Sequence, residues 1–310
     1  MKIGFIGSGD ISRFHIDALI NNQFEIEAIG TRLNSLRCLQ LAESVNLVDK
    51  YCSNGWEEVL TKDVDAFCIC VDISKTPKIL NNVLKIGKPV LVEKPISFHL
   101  NDFEDLTKDP MKDNIFVGYN RRYYETVQTL KGFCENSIEG GTVFANIPDT
   151  ITGYKQFLNT GCHVIDTLRY LLGDFKILKK VVRHRKEQAN VFAISALCNN
   201  EKWSILINAQ NKIPSNFSIT INMEDLVYEL KPLEKLTIYK GIEVIEPSLK
   251  EPIRRYIPKI NSSFTELNSF KPGFDNMYKN FGKFVKNNLV DFCDINDARK
   301  TAEVCWELIS

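Results

Sequence analysis

The sequence has 310 residues, about twice a usual single-domain length, which favours two domains over one or three. Its 39 basic and 39 acidic residues cancel. That argues against nucleic acid or an anionic membrane as the main partner, whatever the short basic run Arg183-His184-Arg185-Lys186 does locally. A content of 44% hydrophobic and 25% charged residues excludes disorder for the chain as a whole, and no apolar run reaches the roughly 18 residues of a membrane span.

The elements follow from periodicity. Residues 3–6 form a short apolar run followed by glycines and charges, which reads as a strand and not as a secretory leader. A helix is expected over 11–20, a strand over 26–29, a helix over 33–44 and a buried strand over 66–71. Pro77 opens a further helix at a position where its missing N–H does no harm, and Gly87 closes it. Strands at 89–93 and 115–119 complete a first domain over residues 1–120, a doubly wound parallel (Rossmann) sheet. After residue 120 the pattern changes. A helix over 124–134, a strand over 142–146, a polar loop and a helix over 160–172 precede seven runs of alternating character between 177 and 245. These imply an α+β domain over 121–295 built on a largely antiparallel open sheet. Residues 246–271 read as an irregular loop. Helices are expected over 273–287 and 296–309, the last of them in a 296–310 segment that packs back on the first domain.

The cysteines, nine in number and irregularly spaced, read as reduced core residues of a cytoplasmic protein. Cys68 and Cys70 lie in a buried-strand run with no second pair to complete a zinc site, so no metal is expected.

The first motif is Gly4-Phe5-Ile6-Gly7-Ser8-Gly9-Asp10-Ile11-Ser12, directly after the first strand. Gly7 permits a tight turn, Gly9 lets the backbone approach a pyrophosphate, and the helix that begins with Asp10 and Ile11 offers its N–H groups. The second strand ends Ile29-Gly30-Thr31-Arg32, with no carboxylate for the adenosine ribose. Thr31 and Arg32 instead suit a 2′-phosphate, which places NADP above NAD. The third motif, Gly87-Lys88-Pro89-Val90-Leu91-Val92-Glu93-Lys94-Pro95, delivers a charged pair at the carboxyl end of a strand, where open α/β sheets bind ligands.

With this combination the chain resembles the Gfo/Idh/MocA family of oxidoreductases (glucose–fructose oxidoreductase/inositol dehydrogenase). Gly118-Tyr119-Asn120-Arg121-Arg122-Tyr123 looks like the family's segment joining the two domains, and Asn159-Thr160-Gly161-Cys162-His163-Val164-Ile165-Asp166 looks like its active-site helix. The resemblance implies an NAD(P)-dependent enzyme that moves hydride to or from a secondary alcohol or ketone of a sugar or sugar derivative. It makes Lys94 the group that hydrogen-bonds the reacting oxygen, ahead of a cis proline bond, and His163 the acid/base. Glu93 and Lys94 then also border the cofactor, and Asn120, Arg122, Tyr154, Asn159 and His163 are the expected substrate contacts. A homodimer or homotetramer through the second-domain sheet is implied as well. His15, His99 and His184 read as surface or capping residues.

The sequence departs from the family in three places. Asn159 stands where aspartate is usual, four residues before the histidine, as in members that oxidise nucleotide-linked uronic sugars. The turn after the 66–71 strand is Val71-Asp72-Ile73-Ser74 in place of a Thr-Pro-Asn type, so Val71 and Ile73 are expected beside the nicotinamide ribose. The stretch before the active-site helix is short. The substrate read from this is a carbohydrate made for a surface polysaccharide. The alternative is a dinucleotide-binding regulator of the same fold, which retention of both Lys94 and His163 opposes.

Overall fold

The computed structural model describes all residues except 136–139, 150, 186, 187, 211–215 and 267–270. Lys186 of the basic run, Thr150 of the polar loop and the end of the expected 246–271 loop therefore lie outside the described residues. The chain groups into two units, Met1–Tyr123 with Asn268–Glu303, and Tyr124–Leu267 with Val304–Ser310.

The first unit begins with β1 (Lys2–Gly7), α1 (Ser12–Asn21), β2 (Glu25–Gly30), α2 (Leu36–Ser44), α3 (Trp56–Val59), β3 (Ala66–Cys70), α4 (Thr76–Leu84), β4 (Val90–Val92), α5 (Leu100–Lys108) and β5 (Ile115–Val117). The five strands are parallel, in the order β2-β1-β3-β4-β5. All of β3 and all of β1 but Lys2 are buried, as expected of strands covered on both faces, and this is why they read as unbroken apolar runs. The order reverses between β1 and β3, so the loops after these two strands flank the point where such sheets open a crevice. α2 starts later than the apolar pattern suggests because the Ser35 hydroxyl accepts the Cys38 N–H and caps it there.

The second unit contains α6 (Glu125–Cys134), β6 (Gly141–Ile147), α7 (Tyr154–Gln156), a π turn over Phe157–Gly161, α8 (Cys162–Leu172), β7 (Phe175–Arg185), β8 (Gln188–Cys198), β9 (Glu201–Ala209), β10 (Ser218–Met223), β11 (Leu226–Leu230), β12 (Lys235–Ile245) and β13 (Arg255–Thr265). They build an eight-stranded sheet in the order β13-β12-β11-β10-β6-β9-β8-β7. Every neighbouring pair is antiparallel except β6 and β9. One face is buried: Val143, Ala145 and Ile147 of β6 and Trp203, Ile205 and Ile207 of β9 point into it, and the Phe157 ring stacks on Phe192 of β8 at 4.9 Å. The other face alternates polar with apolar residues.

Three expectations are corrected. Residues 255–265, expected in a loop, form β13, and the two short runs expected at 236–245 are the single strand β12; Pro258 and a Ser/Asn stretch hide the alternation that pairing with β12 enforces. The helix α9 (Phe274–Val285) belongs to the first unit and not to a domain ending at 295. Its apolar face of Phe274, Met277, Tyr278 and Phe281 completes the core that holds Ile3, Phe5, Ile16, Phe24 and Phe116. Finally α10 (Ile295–Ile309) does not go with the first domain as a whole: it groups with the first unit through Glu303 and with the second from Val304.

Candidate functional site

In the first unit the glycine loop has the form a diphosphate needs. Gly7 has φ +155°, and a Cβ there would lie 2.1 Å from the Cys70 carbonyl oxygen, so only glycine lets β1 and β3 run together. A Cβ on Gly9 would meet nothing nearer than the Ser12 hydroxyl at 4.0 Å, leaving open space in front of the loop. Ser12, in the place of a third glycine, is buried with its hydroxyl donating to Cys70 Sγ at 3.4 Å. Ile11 is the N-cap of α1; it offers no side-chain bond, and the first turn carries no acid, so the positive end of the helix is not offset. The Asp10 carboxylate is exposed and taken by Arg37 of α2, which leaves only its backbone for a nucleotide.

At the end of β2 the Thr31 hydroxyl is buried and makes no hydrogen bond of normal geometry. Burial pushes the nearby Cys38 thiol up to about 11, with Thr31 pulling it back. Arg32 is exposed and pairs with no carboxylate among the described residues. An orphaned hydroxyl beside an unmatched guanidinium fits an anionic group, and the loop and helix end fit a dinucleotide. After β3, Val71 and Ile73 are half-buried. The turn between them is shaped by Asp72, whose Oδ1 accepts the Ser74 hydroxyl at 2.6 Å and the Ser74 N–H at 2.9 Å; these bonds hold its carboxyl below the usual range.

Glu93 and Lys94 follow β4 directly and are half-buried, and the Lys94–Pro95 peptide is cis. Here the structure corrects the reading of His15, which is no surface residue. It is fully buried, with Nε2 2.9 Å from Glu93 Oε1 and Nδ1 2.7 Å from the Tyr278 hydroxyl. Burial, the largest influence, pulls its pKa down, but Cys70 and Glu93 outweigh it and the value stands at about 9. Sequence reading also passed over Lys271. Its ammonium lies 4.4 Å from the Phe14 ring centre and 5.4 Å from that of Phe274. Burial lowers its pKa; Lys94 and Arg121 lower it further, against Glu93. Of the other expected contacts, Asn120 is buried with its amide donating to the Pro272 carbonyl at 3.3 Å. Arg122, expected to touch substrate, is buried in an ion pair with Asp297 at 2.5 Å, which gives it a structural role.

In the second unit Tyr154, Asn159 and His163 fall in one short segment. The Tyr154 ring packs edge-on to Trp306 at 4.8 Å, and its hydroxyl is buried with no hydrogen-bond partner among the described residues. Burial, with Cys305 and Cys162 adding to it, drives that hydroxyl's pKa upward. His163 is half-buried on the first turn of α8, 6.3 Å from the Phe217 ring. Asn159 is exposed and sits not on α8 but in the π turn before it, so the regular i, i+4, i+7 face expected for Asn159, His163 and Asp166 is broken. Such insertions cluster at functional sites. Asp149 is a residue the sequence reading missed. One of its oxygens, Oδ2, accepts the Thr160 hydroxyl at 2.8 Å and the Gln156 amide at 2.5 Å, tying the loop after β6 to the π turn. Among the described residues no group of three or more His, Cys, Asp or Glu is placed to hold a metal, and no helix is long and apolar enough to cross a membrane.

Comparison with known proteins agrees with the geometry of the first unit. Residues 1–119 match the family model of the Gfo/Idh/MocA oxidoreductases, described as an oxidoreductase family with an NAD-binding Rossmann fold. The myo-inositol 2-dehydrogenase of Thermotoga maritima is 27% identical over 188 residues, which are 56% of this chain and 55% of that enzyme; the chain thus spans little more than half the length of such curated relatives. Among solved structures, a dehydrogenase from Chromobacterium violaceum superposes with a TM-score of 0.79 at 15% identity, covering 99% of this chain and 94% of that one. The super-repressor mutant of Gal80p from Saccharomyces cerevisiae superposes with a TM-score of 0.74 at 14% identity, covering 99% and 94%. At these identities the structures speak for the fold.

Proposed function

We propose that this chain, whose residues 1–119 match the Gfo/Idh/MocA oxidoreductase family model, is an NAD(P)-dependent dehydrogenase or reductase of a sugar, cyclitol or sugar derivative. The observation that carries the reading is Lys94, set at the carboxyl end of β4 in a parallel sheet whose glycine loop fits a dinucleotide. Gly7, Gly9 and the backbone of Asp10 and Ile11 hold the diphosphate, and Val71, Ile73 and Glu93 border the nicotinamide end. When bound, the nicotinamide supplies the hydride acceptor or donor. Lys94 donates a hydrogen bond to the reacting oxygen and stabilises charge that develops on it. His163 takes the hydroxyl proton on a ring nitrogen, or returns it in reduction. Tyr154, whose hydroxyl has no partner among the described residues, and Asn159 and Asn120 bind neighbouring hydroxyls of the substrate.

The buried Thr31 hydroxyl and the exposed Arg32 support a preference for NADP over NAD. Asn159 supports a carbohydrate of surface-polysaccharide synthesis over a free cyclitol. Self-association through the open face of the sheet is supported by an apolar row in register across four strands, Phe144, Leu206, Ala193 and Val181, with Phe144 and Val181 at least half exposed. The nine cysteines are free and buried, which suits a reducing compartment such as the cytoplasm.

The test is a fluorescence titration with NADH and NADPH, followed by steady-state hydride transfer in both directions on a panel of cyclitols, sugars and nucleotide sugars. Turnover abolished by both Lys94→Ala and His163→Ala supports the enzyme. Tight nucleotide binding with no turnover on any member of the panel transfers the reading to a dinucleotide-binding regulator.

A further inference from the structure

We propose that His15 is a positioning residue for Lys94, acting through Glu93. The inference rests on the role of Lys94 proposed above, but its physical basis is a buried chain of polar groups inside the first unit. His15 is fully buried on α1. Its Nε2 reaches Glu93 Oε1 at 2.9 Å, its Nδ1 reaches the Tyr278 hydroxyl of α9 at 2.7 Å, and that hydroxyl lies 3.1 Å from Cys68 Sγ of β3. The Phe274 ring packs edge-on to the imidazole at 4.9 Å, which leaves the ring little freedom to tilt.

The three contacts admit a consistent donor and acceptor assignment in both protonation states of His15. With neutral His15, Nε2–H donates to Glu93, Nδ1 accepts from Tyr278, and the Tyr278 oxygen accepts from the Cys68 thiol. With protonated His15, Nδ1–H donates to Tyr278, and Tyr278 turns its proton to the sulfur. In both forms the bond to Glu93 survives. It is the bond the network keeps, and buried donors that lose a partner are costly enough that it will not be given up lightly. The charged and titratable groups facing His15 are Cys70, Glu93 and Tyr278, with Cys68 behind the tyrosine.

Among the described residues Glu93 has no other hydrogen bond to a side chain, and its backbone N–H is tied to the Ile69 carbonyl at 2.9 Å as the strand ends. Its side chain and main chain are thus fixed from opposite directions, one by α1 and one by β3. The next residue is Lys94. A lysine on a strand end held at one residue earlier starts from a defined Cα position, and four rotatable bonds then have to be ordered in place of a fraying loop. The glycine loop opens the same helix α1 that carries His15, so the element that receives the diphosphate also sets the Lys94 end of the crevice.

Isosteric variants separate positioning from mere packing, because the asparagine amide falls where Nδ1 lies and the glutamine amide where Nε2 lies. His15→Gln keeps the Glu93 bond and gives up Tyr278; His15→Asn does the reverse. The expected result is a turnover number about 10- to 100-fold lower for His15→Asn, the size of one charge-assisted bond, with nicotinamide nucleotide affinity within about threefold, while His15→Gln stays close to wild type. Hydrogen exchange on the free protein provides a readout independent of catalysis: the amides of Glu93, Lys94, Ile96 and Ser97 exchange faster in His15→Asn and not in His15→Gln, and those of α9 show the opposite preference. Equal behaviour of the two variants in turnover and in exchange overturns the proposal. If wild type turns over no substrate, the dehydrogenase reading fails by itself, and the exchange pattern still decides whether His15 holds the Glu93–Lys94 segment.

Discussion

The two units position their candidate site residues by different means. In the first, the candidate site residues stand at the ends of buried parallel strands, and each is fixed by backbone geometry within a few residues: Gly7 by its approach to Cys70, Lys94 by the end of β4. In the second, they stand on α8 and on the π turn that precedes it, and a carboxylate from a separate loop, Asp149, is bonded to Thr160 and Gln156 there. Strand ends give position at little cost because the sheet already fixes the backbone. A helix entry with a π turn must be held open by side chains, so its geometry is easier to lose by one substitution.

The largest effect that sharpens this contrast is loss of the two side chains proposed to act on the reacting oxygen. Lys94→Ala and His163→Ala are each expected to lower turnover by roughly 10²- to 10⁴-fold while nucleotide affinity stays near wild type; single-turnover hydride transfer beside a binding titration measures both. A parallel fall in nucleotide affinity for His163→Ala would break the division of labour between the units. Next is Arg32→Ala, expected to weaken NADPH by about 10- to 100-fold and NADH hardly at all, read by nicotinamide fluorescence; equal losses would remove the 2′-phosphate assignment.

Asp149→Ala probes the second unit's device. With two bonds to one carboxylate oxygen gone, stability should fall by about 1–3 kcal/mol, and turnover should fall several-fold with nucleotide binding intact, in urea melts and steady-state assays respectively. If turnover is unchanged, the π turn does not need the loop. The smallest effect is on pH and belongs to the first unit. His15 has its pKa raised from 6.5 to about 9 in the fold. A base raised in this way stabilises the folded state fully below about pH 6.5 and loses that contribution as pH climbs through about 9. The melting temperature of wild type should therefore fall between pH 7 and 9.5 more steeply than that of His15→Gln, and identical slopes would show that His15 stays neutral throughout.

What could be read from the sequence follows the same division. The glycine loop and the Glu93-Lys94 pair are contiguous and flanked by apolar runs, so their places at strand ends were visible without coordinates. His15 was not, because its partners Glu93 and Tyr278 are 78 and 263 residues away, and a lone histidine on a helix carries no periodic signal. The return of α9 to the first unit was hidden for a related reason: an amphipathic helix announces an apolar face but not which sheet will cover it. Asn159 was placed on the regular helix because the inserted residue of the π turn leaves no mark in the pattern. Asp149 was one of several polar residues in a loop, and only its two bonds distinguish it. Arg122 looked like a ligand-facing cation in its motif, but Asp297 lies 175 residues on and could not be foreseen.

The outer strand β13 bears on how copies of this chain can meet. It is the free edge of the eight-stranded sheet and exposes Tyr256, Ile257 and Ile260, a surface that could act as a template for another strand. Pro258 sits among them with no N–H to offer, and Lys259 brings a charge to the same stretch, while Arg255 pairs with Glu251. Such residues discourage end-on recruitment of further strands. That edge of the sheet is therefore guarded while its open face carries the apolar row of Phe144, Leu206, Ala193 and Val181, so copies that associate through that row would stack flatly in a closed pair instead of extending the ladder into a fibre.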